Sequence, residues 1–415
     1  MFRAYRSTGG DEAHGDAAVQ LERRQFAARY MSFLMIGAVG TMNSASPPAG
    51  PDDFATALID FDQANADFEG HPGGAFHKVI RWAFEKQGLY VGNPPAVDVY
   101  IDDGRNGEYD WRQNFWNTTD IWNRLAADGG AAHETPILDV TNYMYVRVKN
   151  RGTDTAENVV VRAYHCRPSA GLVWPDDWQA MDTPELAAGS IPSNGETIVG
   201  PFEWVPEVEG HECLLASVSA DDDSSNADTV NGPIPHWRLV PFDNNIGQRN
   251  VAPVPGGDGD ALTRAFDRRS FWVNNPDRSV QVEIESVLPD VLRRRGWKLR
   301  FHNPGGQRFQ LGPRASRKII VRLLPGSLFA PSEIRAGGEE LSFHVSIDSW
   351  LVGGMSYRLD PKLRTVPSER PTDRAADCVR PAGELLDCLG LPSDGVKSAR
   401  LRKVTIDITF RDEDC

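Results

Sequence analysis

Cysteine is scarce in this chain: five residues in 415, with no Cys-x-x-Cys among them. That excludes a disulfide framework and a thiolate metal cluster as the basis of the fold. Long apolar runs are missing as well. The longest, Met31 to Val39, contains Ser32 and Gly37 and falls far short of the ~20 residues that span a bilayer, so no membrane insertion is expected. The first thirty residues hold no apolar run followed by a small-residue cleavage site, so no signal peptide reads from this N-terminus. Either the protein stays inside, or an export signal lies on a part of the gene product ahead of Met1. A basic excess is lacking too. The net charge is −14, with acidic residues spread along the chain, which excludes nucleic acid and anionic membrane as partners while remaining compatible with bound divalent cations.

Catalytic signatures are equally thin. There is no G-x-S-x-G, no phosphate-binding loop and no G-x-G-x-x-G. Zinc peptidases hold their metal with two His one helical turn apart and a Glu general base beside the first. His133-Glu134 is followed by Ile137 where the second ligand belongs, and His211-Glu212 by Leu215. No reversed H-x-x-E-H occurs, and no catalytic residue is assigned.

What the chain does have is length for two or three domains, and the 11 Trp, 38 Gly and 29 Pro of a protein rich in turns and short strands. Residues 1–92 read as helical. Val19, Phe26, Tyr30, Phe33 and Leu34 mark one helical face, and Phe54, Leu58 and Phe61 a second behind a cap at Asp52 or Asp53. A third helix carries Phe76, Val79, Ile80, Ala83 and Phe84 and stops at Gly88, where a left-handed residue is expected. From Ala96 the period changes from 3.6 to 2. Met144, Val146 and Val148 alternate with Tyr143, Tyr145, Arg147 and Lys149, and Val159–Tyr164 and Leu214–Val218 behave likewise. Beyond a Pro/Gly-rich linker at Ala252–Asp260, Val280, Val282 and Ile284 open a second series that continues through Ile319, Val321 and Leu323 to Val404, Ile406, Ile408 and Phe410. A helical insertion is expected near 373–391. The fold class is therefore multidomain and mainly β: an N-terminal α-helical segment, then two immunoglobulin-like β-sandwiches at 96–252 and 262–415.

Three groups of residues are candidates for a site. Asp102, Asp103, Asn106 and Glu108, with glycines between them, have the oxygen donors that calcium uses, although not at EF-hand spacing. The same spacing suits a polar loop built on Asx-turns. Asp221, Asp223 and Asp228 form a second acidic loop open to the same two readings. Trp111, Trp116, Trp122, Trp174 and Trp178 are dense enough for a protein- or carbohydrate-binding surface, and equally for the interior ends of a sandwich.

Two resemblances follow from particular segments. Tyr145-Val-Arg-Val-Lys-Asn-Arg-Gly-Thr-Asp-Thr-Ala-Glu-Asn-Val-Val-Val, with Gly200-Pro-Phe-Glu-Trp-Val-Pro and Gly210-His-Glu-Cys-Leu-Leu-Ala, resembles the bacterial cell-adhesion-related CARDB domain, an immunoglobulin-like sandwich, over about 96–252. If the strands ending at Cys166 and opening at Cys213 pair as the third and sixth strands of such sandwiches do, these cysteines become neighbours, with their oxidation state open. Cys378, Cys388 and Cys415 are left unassigned. Ala57-Leu-Ile-Asp-Phe-Asp, Gly73-Gly and Ile80-Arg-Trp-Ala-Phe-Glu-Lys-Gln-Gly-Leu resemble the closing helices of thermolysin-like and fungalysin-like zinc metallopeptidases. That likeness implies a zinc site ahead of Met1. Together the resemblances imply the binding or adhesion region of a secreted or cell-surface metallopeptidase-like protein, with a protein or carbohydrate surface as partner. The alternatives are a zinc metallopeptidase whose catalytic lobe lies upstream or in another chain, and a structural assembly component. The seven apolar side chains Phe26, Tyr30, Phe33, Leu34, Phe76, Ile80 and Phe84 are too many for three short helices to cover alone, so docking on the first sandwich or recruitment of another chain is expected.

Overall fold

The computed structural model describes residues 1–363 except 14–16, 43–46, 65–66, 70, 91–94, 207–212, 257–258, 268, 276–277, 304–305, 336–338 and 349. His211-Glu212, the helix expected near 373–391, the strand at 404–410, and Cys378, Cys388 and Cys415 lie outside the described residues.

Four helices open the chain: α1 (Phe2–Ser7), α2 (Ala17–Thr41), α3 (Pro51–Ala64) and α4 (His77–Glu85). The short α1 carries no periodic signal in the sequence. Helix α3 starts one residue ahead of the expected cap, with Pro51 in the first turn, where a missing N–H costs nothing. Asp53 reaches back to accept from the amides of Ala49 (2.6 Å) and Gly50 (3.3 Å) instead of capping as the first residue. The cap of α4 comes from another helix: the buried Asp62 carboxylate accepts from the amides of Phe76 (2.9 Å) and His77 (2.8 Å). At its far end Gly88 has φ +66°, and Leu89 N–H returns to Phe84 C=O at 3.0 Å, a Schellman stop.

The first sandwich has two sheets. One contains β1 (Val99–Tyr100), β2 (Ile121–Arg124), β3 (Asn142–Asn150) and β6 (Glu196–Trp204), with β3 at its centre. The other runs β8-β7-β4-β5, from β4 (Ala156–Cys166), β5 (Gln179–Ile191), β7 (Cys213–Ser219) and β8 (Ile246–Arg249). Met144, Val146 and Val148 from one sheet meet Val159, Val161, Leu214, Ala216 and Val218 from the other, as alternation requires of two inward faces.

The second sandwich pairs a sheet of β9 (Val251–Pro255), β16 (Trp350–Asp360), β15 (Glu339–Ile347), β11 (Val280–Val287) and β13 (Arg308–Leu311) with one of β12 (Lys298–His302), β14 (Ser316–Leu324) and β10 (Ser270–Asn274). The expected linker is not one. Only Asn250 separates β8, in the first sandwich, from β9, which pairs parallel with β16 from Val251↔Ser356 to Pro255↔Asp360. Pro253 and Pro255 are tolerated because β9 is an edge with one neighbour. In return, Ser169 and Ala170 from the first sandwich pair with Trp272 and Val273 of β10. The first sandwich therefore lends residues 169–170 to a sheet of the second, and its last strand runs almost directly into the other sheet.

The seam between them is apolar and crowded with aromatics. Phe115, Trp116, Leu172, Trp174, Trp178, Leu215, Ile234 and Leu351 share one buried cluster. Trp116 lies so close to β16 that a Cβ on Gly354 would fall 2.5 Å from its Cζ2, so only glycine fits there. The helical segment is covered from the same two bodies. Phe76 meets Phe242 edge-on at 5.0 Å, and Phe26 meets Trp350 at 4.4 Å. Of the seven apolar side chains, six are buried and Phe33 is half-buried. Both sandwiches supply that cover, not the first alone. The outer face of α2 stays apolar in solvent at Met35, Ile36 and Val39.

Candidate functional site

Beneath α4, where the helical segment meets the first sandwich, lies a cleft of about 450 Å³ lined by charged and aromatic side chains. Lys78 projects from α4 into its floor. Its ammonium lies 2.9 Å from Asp243 and 3.1 Å from Asp223, and donates to Asn245 Oδ1 at 2.5 Å. Asp243 also accepts from Ser225 Oγ (2.9 Å) and the Asn226 amide (2.6 Å), which fixes the 225–229 turn against β8. Asp223 accepts from the Val99 amide at 2.7 Å. Beside them Arg151 pairs with Asp98 (2.6 Å) and Glu108 (3.1 Å), and Asn244 bridges Asp98 to the Tyr109 hydroxyl at 2.7 and 2.6 Å. Arg81 and Glu85 form a further pair at 2.7 Å on the helix.

The electrostatics follow from burial. Desolvation, with Asp98 and Asp243 nearby, lifts Asp223 to about 6 against the pull of Lys78. Burial alone would lower Lys78, but Asp223 and Asp243 together outweigh it and hold the ammonium charged. The two shifts agree because several carboxylates share one buried cation. Asp98 is likewise raised by burial, opposed by Arg151. A cluster of this kind joins α4 to the sandwich, and Gln63, His77, Arg81, Tyr90 and Asp222 also line the cleft.

The residues singled out in the sequence fall elsewhere or play other parts. Asp102 makes an Asx-turn, accepting from the amides of Gly104 (2.8 Å) and Asn106 (2.9 Å), and Lys149 neutralises it at 3.1 Å. Asp103 is tied to Arg105 at 2.9 Å. Glu108 accepts from Lys86 at 2.7 Å and from Trp82 Nε1. The carboxylates of Asp102, Asp103 and Glu108 are thus each met by the chain's own donors. In the second acidic loop Asp223 points into the cleft, Asp221 accepts from Asn158 (2.7 Å), and Asp228 pairs with Arg162 (2.8 Å). These three diverge instead of converging. Among the described residues no three His, Cys, Asp or Glu side chains gather as a metal site.

The tryptophans are not a surface. Trp116, Trp122, Trp174 and Trp178 are buried, and Trp111 is half-buried against Gly9. Trp122 stacks on Tyr145 at 5.9 Å and donates to Gly130 C=O, while Trp174 meets Tyr164 edge-on at 4.8 Å. Trp174 also donates, to Ala227 C=O at 3.3 Å, whereas the indole N–H groups of Trp111, Trp116 and Trp178 are buried without a hydrogen-bond partner among the described residues, so what these rings gain is apolar burial. Cys166 and Cys213 lie directly opposite each other across β4 and β7, both buried thiols.

Sequence spacing gave no hint of Lys78, Asp243 or Asn245. Nor did it point to Arg238, a buried guanidinium over the rings of Phe26 (4.2 Å) and Trp237 (4.7 Å), which burial holds well below its ordinary pKa.

No protein-family profile matches this chain. No curated protein matches it either. Among solved structures, it is similar to a CARDB domain from Pyrococcus furiosus in complex with di-metal ions, at 17% identity over 31% of this chain and 81% of that one, with a TM-score of 0.18. It is also similar to the CupB6 tip adhesin from Pseudomonas aeruginosa, at 9% identity over 63% of this chain and 98% of that one, again with a TM-score of 0.18. Neither likeness supports the metallopeptidase reading of residues 1–90. Among the described residues no helix is long and apolar enough to cross a membrane.

Proposed function

We propose that this chain is a non-catalytic binding and adhesion region in three parts, 1–92, 96–252 and 262–415, which engages a protein or carbohydrate surface at the rim of the α4 cleft. One observation carries the reading. The buried ionisable groups of the cleft are matched to one another at 2.6–3.1 Å, an arrangement that joins modules and leaves a polar rim for contact, whereas a general acid or base needs a partner on the substrate. Exported or cell-surface placement, and a role beside a metallopeptidase-like partner, rest on the sequence segments 57–62, 73–74 and 80–89 and on the CARDB-like strands.

The test immobilises bacterial cell-wall polysaccharides and extracellular proteins and measures binding of the full chain, alongside the rim variants Arg81→Ala and Asp222→Ala. Binding to one of these surfaces, weakened about tenfold by a rim variant, is the expected result; that factor corresponds to ~1.4 kcal/mol. Casein hydrolysis abolished by a zinc chelator would replace the proposal with the metallopeptidase alternative, and binding that ignores the rim would move the contact elsewhere.

A further inference from the structure

We infer that Cys166 and Cys213 are a cross-strand disulfide site that closes when the chain folds under oxidising conditions. Strand register carries the inference. In the antiparallel pairing of β4 and β7, Cys213 is the direct partner of Cys166, followed by Leu214↔His165 and Leu215↔Tyr164. Directly opposed residues of such a pair have Cα atoms ~4.5 or ~5.5 Å apart. Both values lie inside the ~4.4–6.8 Å that a disulfide spans. The two side chains also share a face. Cys166, Cys213 and Leu215 belong to the seam cluster, with Tyr164 packed against it, while Leu214 points the other way into the core of the first sandwich. Both thiols therefore project into the same apolar layer beside Trp174, with neither on the wrong side of the sheet.

Burial sets the timing. With both cysteines enclosed, the oxidant must act before β7 closes on β4, and the partner named here is glutathione disulfide. One cysteine thiolate attacks it and releases a glutathione thiolate. The second cysteine thiolate then attacks the mixed disulfide at the protein sulfur, forming the Cys166–Cys213 bond and releasing the second glutathione. The two thiol protons end on the two glutathiones, so the protein loses two hydrogens and two electrons to the reagent. The bond closes the loop 167–212, which contributes Trp174 and Trp178 to the seam, and so would hold that side of the seam to the sheet.

The experiment refolds the full chain in a glutathione redox buffer, blocks remaining thiols with an alkylating reagent, and maps linked peptides by mass spectrometry. A variant carrying Cys378→Ser, Cys388→Ser and Cys415→Ser is refolded in parallel. The expected result in both is one linked peptide joining 166 to 213, with a melting temperature roughly 3–10 °C above the reduced protein. Cys213→Ala should abolish that difference; if this variant does not fold, the peptide map still decides. Alkylation of both residues after oxidative refolding, or preferential pairing of either with another cysteine, would overturn the inference.

Discussion

Two joints hold the described part of this molecule together, and they are built from opposite materials. Between the sandwiches the seam is a layer of tryptophan, phenylalanine and leucine crossed by backbone pairing at β9 and at Ser169–Ala170. Beneath α4 the joint centres on a buried ammonium shared by carboxylates, ringed by amides. The apolar seam gains from every ring it removes from water. The polar joint gains little net energy from burying charge, but loses much if one partner is removed. The lesson is that the first holds by area and the second by pairing.

The largest effect should come from emptying the seam. Trp116→Ala removes a fully buried indole, and a loss of about 3–5 kcal/mol is expected in chemical denaturation. Lys78→Met tests the other joint. It leaves Asp223 and Asp243 buried without their cation, for a cost of about 3–5 kcal/mol, most of which the triple variant Lys78→Met/Asp223→Asn/Asp243→Asn should restore. No such charge-neutral rescue exists for Trp116. If the triple variant is no more stable than Lys78→Met alone, pairing is not what holds α4.

Acid should act on the two joints with opposite signs. In the seam, His236 donates from Nδ1 to Leu172 C=O at 3.0 Å, and its Nε2 has no partner among the described residues. Burial depresses it from 6.5 to about 4, so its contribution is complete above pH 6.5 and lost as pH falls through about 4. The shift corresponds to roughly 3 kcal/mol. The stability advantage of the native protein over His236→Gln should shrink by about that much between pH 7 and 4. In the cleft, Asp223 is raised from 3.8 to about 6, so its contribution is present below pH 3.8 and lost as pH rises through about 6. Melting curves of the two proteins across this range check the seam's sign. A difference that does not vary with pH would mean that His236 is not desolvated.

How much of this could be read beforehand depends on whether the signal is local. The alternation at 142–150, 213–219 and 280–287 follows from one buried face per strand, and the stop at Gly88 follows from its left-handed backbone. Both are properties of a few consecutive residues. Lys78 meets Asp223 and Asn245 across 145 and 167 positions, so no spacing rule announces them. The Asx-turn at Asp102 was legible, whereas its neutralisation by Lys149 was not, because the lysine arrives from another strand of the sheet. Tryptophan content showed that large rings must be placed, and only the folded chain decides between solvent and seam. Pro253 and Pro255 read as a linker because proline resists most strands, yet an edge strand accepts them.

A smaller effect sharpens the seam geometry. Gly354→Ala places a methyl 2.5 Å from Trp116 Cζ2 and 2.3 Å from Phe343 O, so a loss of about 1–3 kcal/mol is expected despite the gain of only one carbon. An unchanged denaturation midpoint would mean the ring has room to move.

The division of labour between the joints is tested most directly by amide hydrogen exchange on Lys78→Met and Trp116→Ala under native conditions, read by mass spectrometry. Lys78→Met should lose protection first in 77–85 and around 223–229, with 339–360 unchanged; Trp116→Ala should lose it first in 339–360 and 113–118, with 77–85 unchanged. If both variants lose protection over the same segments, the helical segment and the two sandwiches are held by a single undivided core, and the account of two separate joints is wrong.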